Sequence, residues 1–333
     1  MSEQNIKKMI GDVFMDIADG IESGSFGKKV RVGLTAFGSE HGVENLVKGA
    51  EKAQAADPSS EVVIITVGDK AETDLVQYNV ASEDEGYKKM EELLDSGEVS
   101  AFVTMHYNFP IGVSTVGRVI TPAFGEEMTI ATTTGTSSPH RVEAMVLNAI
   151  AGVITAKAMG KDEPTIGILN VDGARQVERA LKELSSNGYT LHFAESNRAD
   201  GGCVMRGNDL LQGVPDVMVT DTLTGNILMK MFSSFQTGGG FEAMGYGYGP
   251  GIGRGYDRHI FIVSRASGYP VVANALEYAI RTARGGIDQI KKSEYAKAEK
   301  AGLNKILDGL KAESTKAAGP KEEVKMPEKE IVD

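Results

Sequence analysis

The residues from Pro215 to Phe235, PDVMVTDTLTGNILMKMFSSF, join an apolar run to a polar turn and then to an amphipathic pattern. Val217, Met218 and Val219 suit a short parallel strand covered on both faces, with Asp221, Thr222, Thr224 and Asn226 crowded into the turn at its carboxyl end. Ile227, Leu228, Met231, Phe232 and Phe235 recur at helical spacing, so a helix is expected to open near Thr224 and Gly225. A helix N-terminus offers free amides and a partial positive charge, and ligands of open α/β sheets lie beyond the carboxyl ends of the strands. The chemistry expected here is binding of a phosphate or a carboxylate. The same residues would also serve structure alone, with Thr224 capping the helix and Asp221 settling the turn.

A second hydroxyl-rich loop, TTTGTSSPHR, holds Thr132, Thr133, Thr134, Gly135 and Thr136 ahead of a helix expected to begin near Pro139. Hydroxyls and free amides at such a point would hold phosphate oxygens, although a capping loop has the same composition. His106 and His140 stand beside these loops as candidates for acid/base work, with a structural role as the alternative. Cys203, in NRADGGCVMRGND, has Arg198 and Arg206 as sequence neighbours, which would activate an exposed thiol. A small buried side chain is the competing reading. Near the chain start, VRVGLTAFGSEHGVENLVKGAEKA passes from strand to helix through Gly38 and Gly42 and is followed by VVIITVGD. These glycines do not form GxGxxG, which argues against a nicotinamide cofactor.

These loops need elements to position them. Candidate strands fall at 30–34, 62–67, 101–105, 128–132, 165–169, 189–194, 217–221 and 259–264, with helical patterns between most of them. That alternation predicts an α/β fold, a three-layer αβα sandwich with a mostly parallel sheet, spanning 29–312 as one domain or two lobes. Residues 1–28 are expected to carry an amphipathic helix, with Ile6, Ile10, Val13, Phe14, Ile17 and Ile21 on one face. Residues 313–333, charged and interrupted by Pro320 and Pro327, read as a disordered tail or linker. With 333 residues, 41% of them hydrophobic, the chain can bury a substantial core, and a net charge of −11 argues against a nucleic-acid partner. A single cysteine excludes an intramolecular disulfide, and no uncharged run is long enough to span a membrane. Lys7, Lys8, Asp12, Asp16 and Asp19 are unlike a signal peptide, so a cytoplasmic location is expected.

The runs GLTAFGSEHGVENLVKGAEKA and DVMVTDTLTGNILMK resemble the phosphate acyltransferases of phospholipid synthesis and, more distantly, the phosphotransacetylases. A narrower resemblance lies in VTMHYNFPIGVSTVGRVITP, IATTTGTSSPHRVEAMV, GILNVDGARQVERALKELSSNGY, ESNRADGGCVMRGNDLL and GYDRHIFIVSRASGYPVVANALEYA. These resemble the alpha subunit of component C of glycine/sarcosine/betaine reductase, over roughly residues 1–312. The resemblance implies transfer of a protein-bound acetyl thioester to inorganic phosphate, giving acetyl phosphate. It also implies an oligomeric assembly with a thiolase-like component C beta subunit and a small selenoprotein that carries the carboxymethyl group. No cofactor, metal or membrane contact is implied.

In phosphotransacetylases a Ser-Arg pair after the last strand holds the phosphoryl or carbonyl oxygens, and the similar pair here is Ser264 and Arg265. A guanidinium suits that task because it is planar, permanently charged and forked. Those enzymes also place an aspartate several residues downstream to deprotonate coenzyme A. Here Tyr269, Pro270 and Val271 stand in that interval, which puts a coenzyme A reaction in doubt and is consistent with a thioester already carried on a protein. Arg118, in STVGRVI, resembles a second phosphotransacetylase arginine; a solvated surface residue is the alternative. Relatives of this kind extend further and carry the acetyl group on a cysteine in a small C-terminal segment, so that segment, Cys203 or a partner is expected to be the carrier. Two other readings remain open: a free-standing acyltransferase using acyl carrier protein, with a long apolar tunnel beside Asn226, and a non-catalytic scaffold.

Overall fold

A computed structural model describes residues 29–199 and 201–317, together with Phe14, Met15, Ile17 and Ala18. The expected N-terminal helix, apart from those four residues, and the expected tail beyond Ala317 lie outside the described residues. The chain opens with β1 (Val30–Thr35), α1 (Gly42–Ala56), β2 (Ser60–Val67), β3 (Val76–Val80), α2 (Glu83–Asp95) and β4 (Ala101–Thr104). A hairpin of β5 (Val113–Ile120) and β6 (Glu127–Thr136) then leads through α3 (Arg141–Ala158), β7 (Thr165–Leu169), α4 (Ala174–Ser186), β8 (His192–Phe193), β9 (Val204–Met205), α5 (Gly207–Gln212) and β10 (Val217–Val219) to α6 (Thr222–Ser233). After a short 3-10 turn come β11 (Gly249–Gly253), β12 (Ile260–Ile262), α7 (Tyr269–Arg284), α8 (Ile287–Lys300) and α9 (Leu303–Ala317). The last helix therefore runs into the region expected to begin the tail.

Among the described residues the strands form one 12-stranded sheet in the order β3-β2-β1-β4-β12-β11-β5-β6-β10-β7-β8, with β9 also paired to β7. The three-layer α/β architecture with a mostly parallel sheet stands, and one feature departs from expectation. β12 is parallel to β4, but β11 is antiparallel to both β12 and β5, and β5 is antiparallel to β6. Three successive reversals make the β1 group and the β10 group run in opposite senses. The carboxyl ends of the two groups therefore lie on opposite edges of the sheet, and no single edge carries all the loops.

Helices cover both faces. On one, α1 and α7 bury Leu46, Ala50, Val272 and Leu276 over β1 and β4, while α3 buries Ile150 and Ile154 beneath α4 and α8. α3 lies between sheet and helices, so nearly its whole circumference is apolar. On the other face, Met90 of α2 and Met229 and Phe232 of α6 pack over Ile65, Ile130 and Met218. Among the described residues no helix is long and apolar enough to cross a membrane.

Candidate functional site

The β5–β6 ladder breaks between Ser114 and Val116, where the register shifts, and this releases Thr132, Thr133 and Thr134 from regular pairing. Thr132 and Thr133 are fully buried, and their hydroxyls turn back into the sheet. Thr132 Oγ1 donates to Thr115 O at 2.5 Å, and Thr133 Oγ1 donates to Tyr248 O at 2.9 Å. Gly135 takes a left-handed φ of 79°, where a side chain would also strike Val113 O at 2.6 Å, and Thr136 ends the strand opposite Val113.

Against this bulge lies α6. Asn226 donates its side-chain amide to Thr133 O at 3.0 Å, which anchors it one turn into the helix. The helix starts as a capped end: Asp221 accepts from Thr224 N at 3.1 Å and from Thr224 Oγ1 at 2.7 Å, and pairs with Arg141 at 3.0 Å. Burial works to raise the Asp221 pKa, but the two Thr224 hydrogen bonds and the Arg141 charge outweigh it and hold the carboxyl below its usual range.

The third component is the turn after β12. Ser264 N donates to Ser267 Oγ at 3.1 Å, Ala266 N donates to Ser264 Oγ at 3.2 Å, and Ser267 N donates to Ser264 O at 3.0 Å. Glu40 N donates to Arg265 O at 2.9 Å. The backbone is thus fixed on several sides while the Arg265 side chain stays exposed, with no ion-pair partner among the described residues.

Ser264, Arg265, Asn226 and Thr134 line one open cleft of about 310 Å³. Lys230, one turn after Asn226, adds a second cation, and Glu40 places a carboxylate on the rim. Met105, Tyr248, Ile262 and Val263 supply the remaining lining. Tyr248 is buried against Glu242, and burial together with that carboxylate pushes its phenol far above the usual range, so it remains a hydrogen-bond donor. Two cations, an amide and hydroxyls around a small volume can hold a tetrahedral oxyanion.

Several expected site residues are placed elsewhere. Arg118 follows Gly117, whose missing side chain leaves room for Met229 of α6; strand alternation turns Arg118 to the opposite face. There it pairs with Glu127 and lies over the rings of Tyr246 and Tyr278 at 5.4 and 5.9 Å, which accounts for a structural arginine. Asp221, Thr224 and Gly225 do not line the cleft, because α6 presents its flank to it rather than its N-terminus. Thr132, Thr133 and Thr136 are likewise outside the lining, behind or beyond Thr134. Cys203 is buried between β9 and α4, with its thiol 3.5 Å from Glu178 Oε1. Burial and the Glu178 charge push the thiol up to about 11, the reverse of activation. Arg175 and Lys182 are both paired to Glu178, so the carboxylate beside the thiol is itself held by two cations.

Sequence reasoning missed Lys230, Tyr248, Glu40 and Met105. Lys230 carried a usable signal, since it lies four residues after Asn226 and so on the same helix face. Tyr248 sits in a glycine-rich stretch with no periodicity, and only the tertiary fold brings it to the cleft.

A family profile described as "Fatty acid synthesis protein" matches residues 30–333. The chain is 63% identical over 328 residues to the glycine/sarcosine/betaine reductase complex component C subunit alpha of Peptoclostridium acidaminophilum, covering 98% of this chain and 84% of that protein. It is 30% identical over 146 residues to a phosphate acyltransferase of Fervidobacterium nodosum, covering 43% of this chain and 42% of that one. Among solved structures, a branched-chain phosphotransacylase from Enterococcus faecalis V583 superposes with a TM-score of 0.53 at 17% identity, over 76% of this chain and 99% of that one. At that identity the likeness concerns the fold.

Proposed function

Because the chain belongs to the fatty acid synthesis protein family and, within it, to the component C alpha subunits of glycine/sarcosine/betaine reductase, we propose that it transfers a protein-bound acetyl group from a thioester to inorganic phosphate. The product is acetyl phosphate. The observation that carries this reading is the meeting of Asn226, Thr134, Ser264, Arg265 and Lys230 around one cleft. Arg265 and Lys230 hold phosphate, one of whose oxygens attacks the thioester carbonyl; the carbonyl oxygen becomes an oxyanion facing the Asn226 and Ser264 donors. The thiolate leaves with little need of protonation, which suits a cleft that has no histidine in its lining.

The size of the cleft, about 310 Å³ with Tyr248, Ile262 and Val263 in its lining, favours a short acyl group over a long acyl chain. A thiolase-like beta subunit and a small selenoprotein are the proposed partners, the latter carrying the two-carbon unit as a carboxymethyl group.

The reading is tested with the full chain and its assembled complex. After exposure to acetyl phosphate, mass spectrometry locates any acetyl group, while the forward reaction is followed as phosphate-dependent acetyl phosphate release. Release that depends on Arg265 and Asn226 supports the assignment. Transfer confined to long acyl groups on acyl carrier protein would replace it with a phospholipid-precursor reaction, and a complex fully active with both residues replaced would make the chain a scaffold.

A further inference from the structure

Glu242 is buried behind the cleft and is not part of its lining, yet it is bonded to residues from three of its walls. Its Oε1 accepts the phenol of Tyr248 at 2.9 Å and lies 3.7 Å from Lys230 Nζ, and its Oε2 accepts the Ser267 hydroxyl at 3.1 Å. Ser267 Oγ in turn accepts the amide of Ser264 at 3.1 Å. The main chain repeats the link, since Glu242 N donates to Ala266 O at 3.0 Å and Gly268 N donates to Glu242 O at 2.8 Å. Tyr248 approaches from the bend just before β11, Lys230 from α6, and Ser264 and Arg265 from the turn after β12.

An ionised carboxylate only accepts hydrogen bonds, so it imposes a direction on this chain of contacts. Ser267 must donate to Glu242, which turns a lone pair toward Ser264 N–H and holds the turn closed. Arg265 is the next residue, and closure of the turn determines where its guanidinium is presented. Burying a carboxylate is costly unless it is fully partnered. A role in stability alone would be met by the Lys230 pair; it does not account for one acid fastening the donors of three separate walls.

We propose that Glu242 is the positioning residue of the cleft, acting through Ser267 on the turn that presents Arg265 to the anion. The proposal rests on the reading of the cleft as a phosphate site. It assigns Glu242 no contact with substrate.

The test is a double-mutant cycle on the full chain, with inorganic phosphate affinity measured by ³¹P NMR titration. Ser267→Ala and Glu242→Gln are each expected to weaken phosphate binding about tenfold, the effect of losing one well-placed hydrogen bond. In an Arg265→Ala background Ser267→Ala is expected to weaken it by less than about twofold, because its effect passes through Arg265, whereas Glu242→Gln retains the part that passes through Lys230 and Tyr248. Equal losses from Ser267→Ala in both backgrounds, or no loss in either, overturn the positioning role. If Arg265→Ala alone leaves phosphate binding unchanged, the reading of the cleft itself fails, which is a separate outcome. Thermal melts identify folded variants, and Ser267→Ala, the smaller change, decides the matter alone if Glu242→Gln does not fold.

Discussion

Gly225 packs so closely on Thr132 that a Cβ at position 225 would lie 1.7 Å from the Thr132 carbonyl oxygen. This contact seats α6 on the β6 bulge and brings Asn226 within hydrogen-bond reach of Thr133 O. Gly225→Ala is expected to force the two elements apart, at a cost of about 3 kcal/mol or more in urea unfolding, and to weaken phosphate binding as Asn226 shifts. Unchanged stability and affinity would show that the contact has room to relax.

The two arginines singled out from sequence are expected to separate cleanly. Arg265→Ala should lower acetyl phosphate release by roughly 100-fold with the fold intact, and Arg265→Lys should lose much of the activity because an ammonium lacks the fork. Arg118→Ala should instead lower the melting temperature, through loss of the Glu127 pair and of the contacts with Tyr246 and Tyr278, while leaving phosphate affinity near that of the parent. A melting curve and a phosphate titration on each variant distinguish these outcomes.

Cys203 is expected to resist alkylation in the folded protein at pH 8 and to react once the chain is unfolded in urea. Its pKa is raised from 9.0 to about 11, so the folded state favours the neutral thiol. The sign follows: the stability this thiol contributes is fully present below about pH 9 and is lost as pH rises through 11. Rapid labelling of the native chain at pH 8, or acetylation of Cys203 by acetyl phosphate, would return it to the role of acyl carrier.

Asp221 is expected to behave as a helix cap. Asp221→Ala should cost about 1 kcal/mol of stability, the usual worth of an N-cap side chain. Its carboxyl is held below 3.8, so the stabilisation is present above that pH and disappears as pH falls further, through the folded pKa. The difference between parent and variant should therefore shrink in acid, and a difference that persists undiminished well below pH 3 would rule out the cap as its source.

Much of the fold was legible in the chain because long-period patterns report local structure. Apolar runs such as Val217–Val219 and the helical spacing from Ile227 to Phe232 marked β10 and α6, and the alternation of such segments indicated three layers. β3, β5, β9 and β11 were missed, and β5 and β11 are the consequential ones. In VSTVGRVI and GPGIG the ladder partners, not the residues themselves, decide the conformation, and glycines at 249, 251 and 253 erase the apolar alternation. Those two strands reverse the sheet, and that reversal makes the flank of α6, rather than its N-terminus, face the Ser264 turn.

The candidate site divides in the same way. The chain by itself identified Asn226, Thr134, Ser264 and Arg265 from residue types and from resemblance, because an oxyanion requires donors of those kinds. Whether a given donor reaches the cleft was decided by tertiary structure. Arg118 and Thr133 occupy motifs as suggestive as those of Arg265 and Thr134, but strand alternation turns one to the opposite face and the other is buried against Tyr248 O. Glu242 had no sequence signal at all. Its contacts with Ser267, Tyr248 and Lys230 join segments that approach only when the halves of the sheet meet, and a carboxylate acquires this role from the donors folding brings to it, not from its neighbours in the chain.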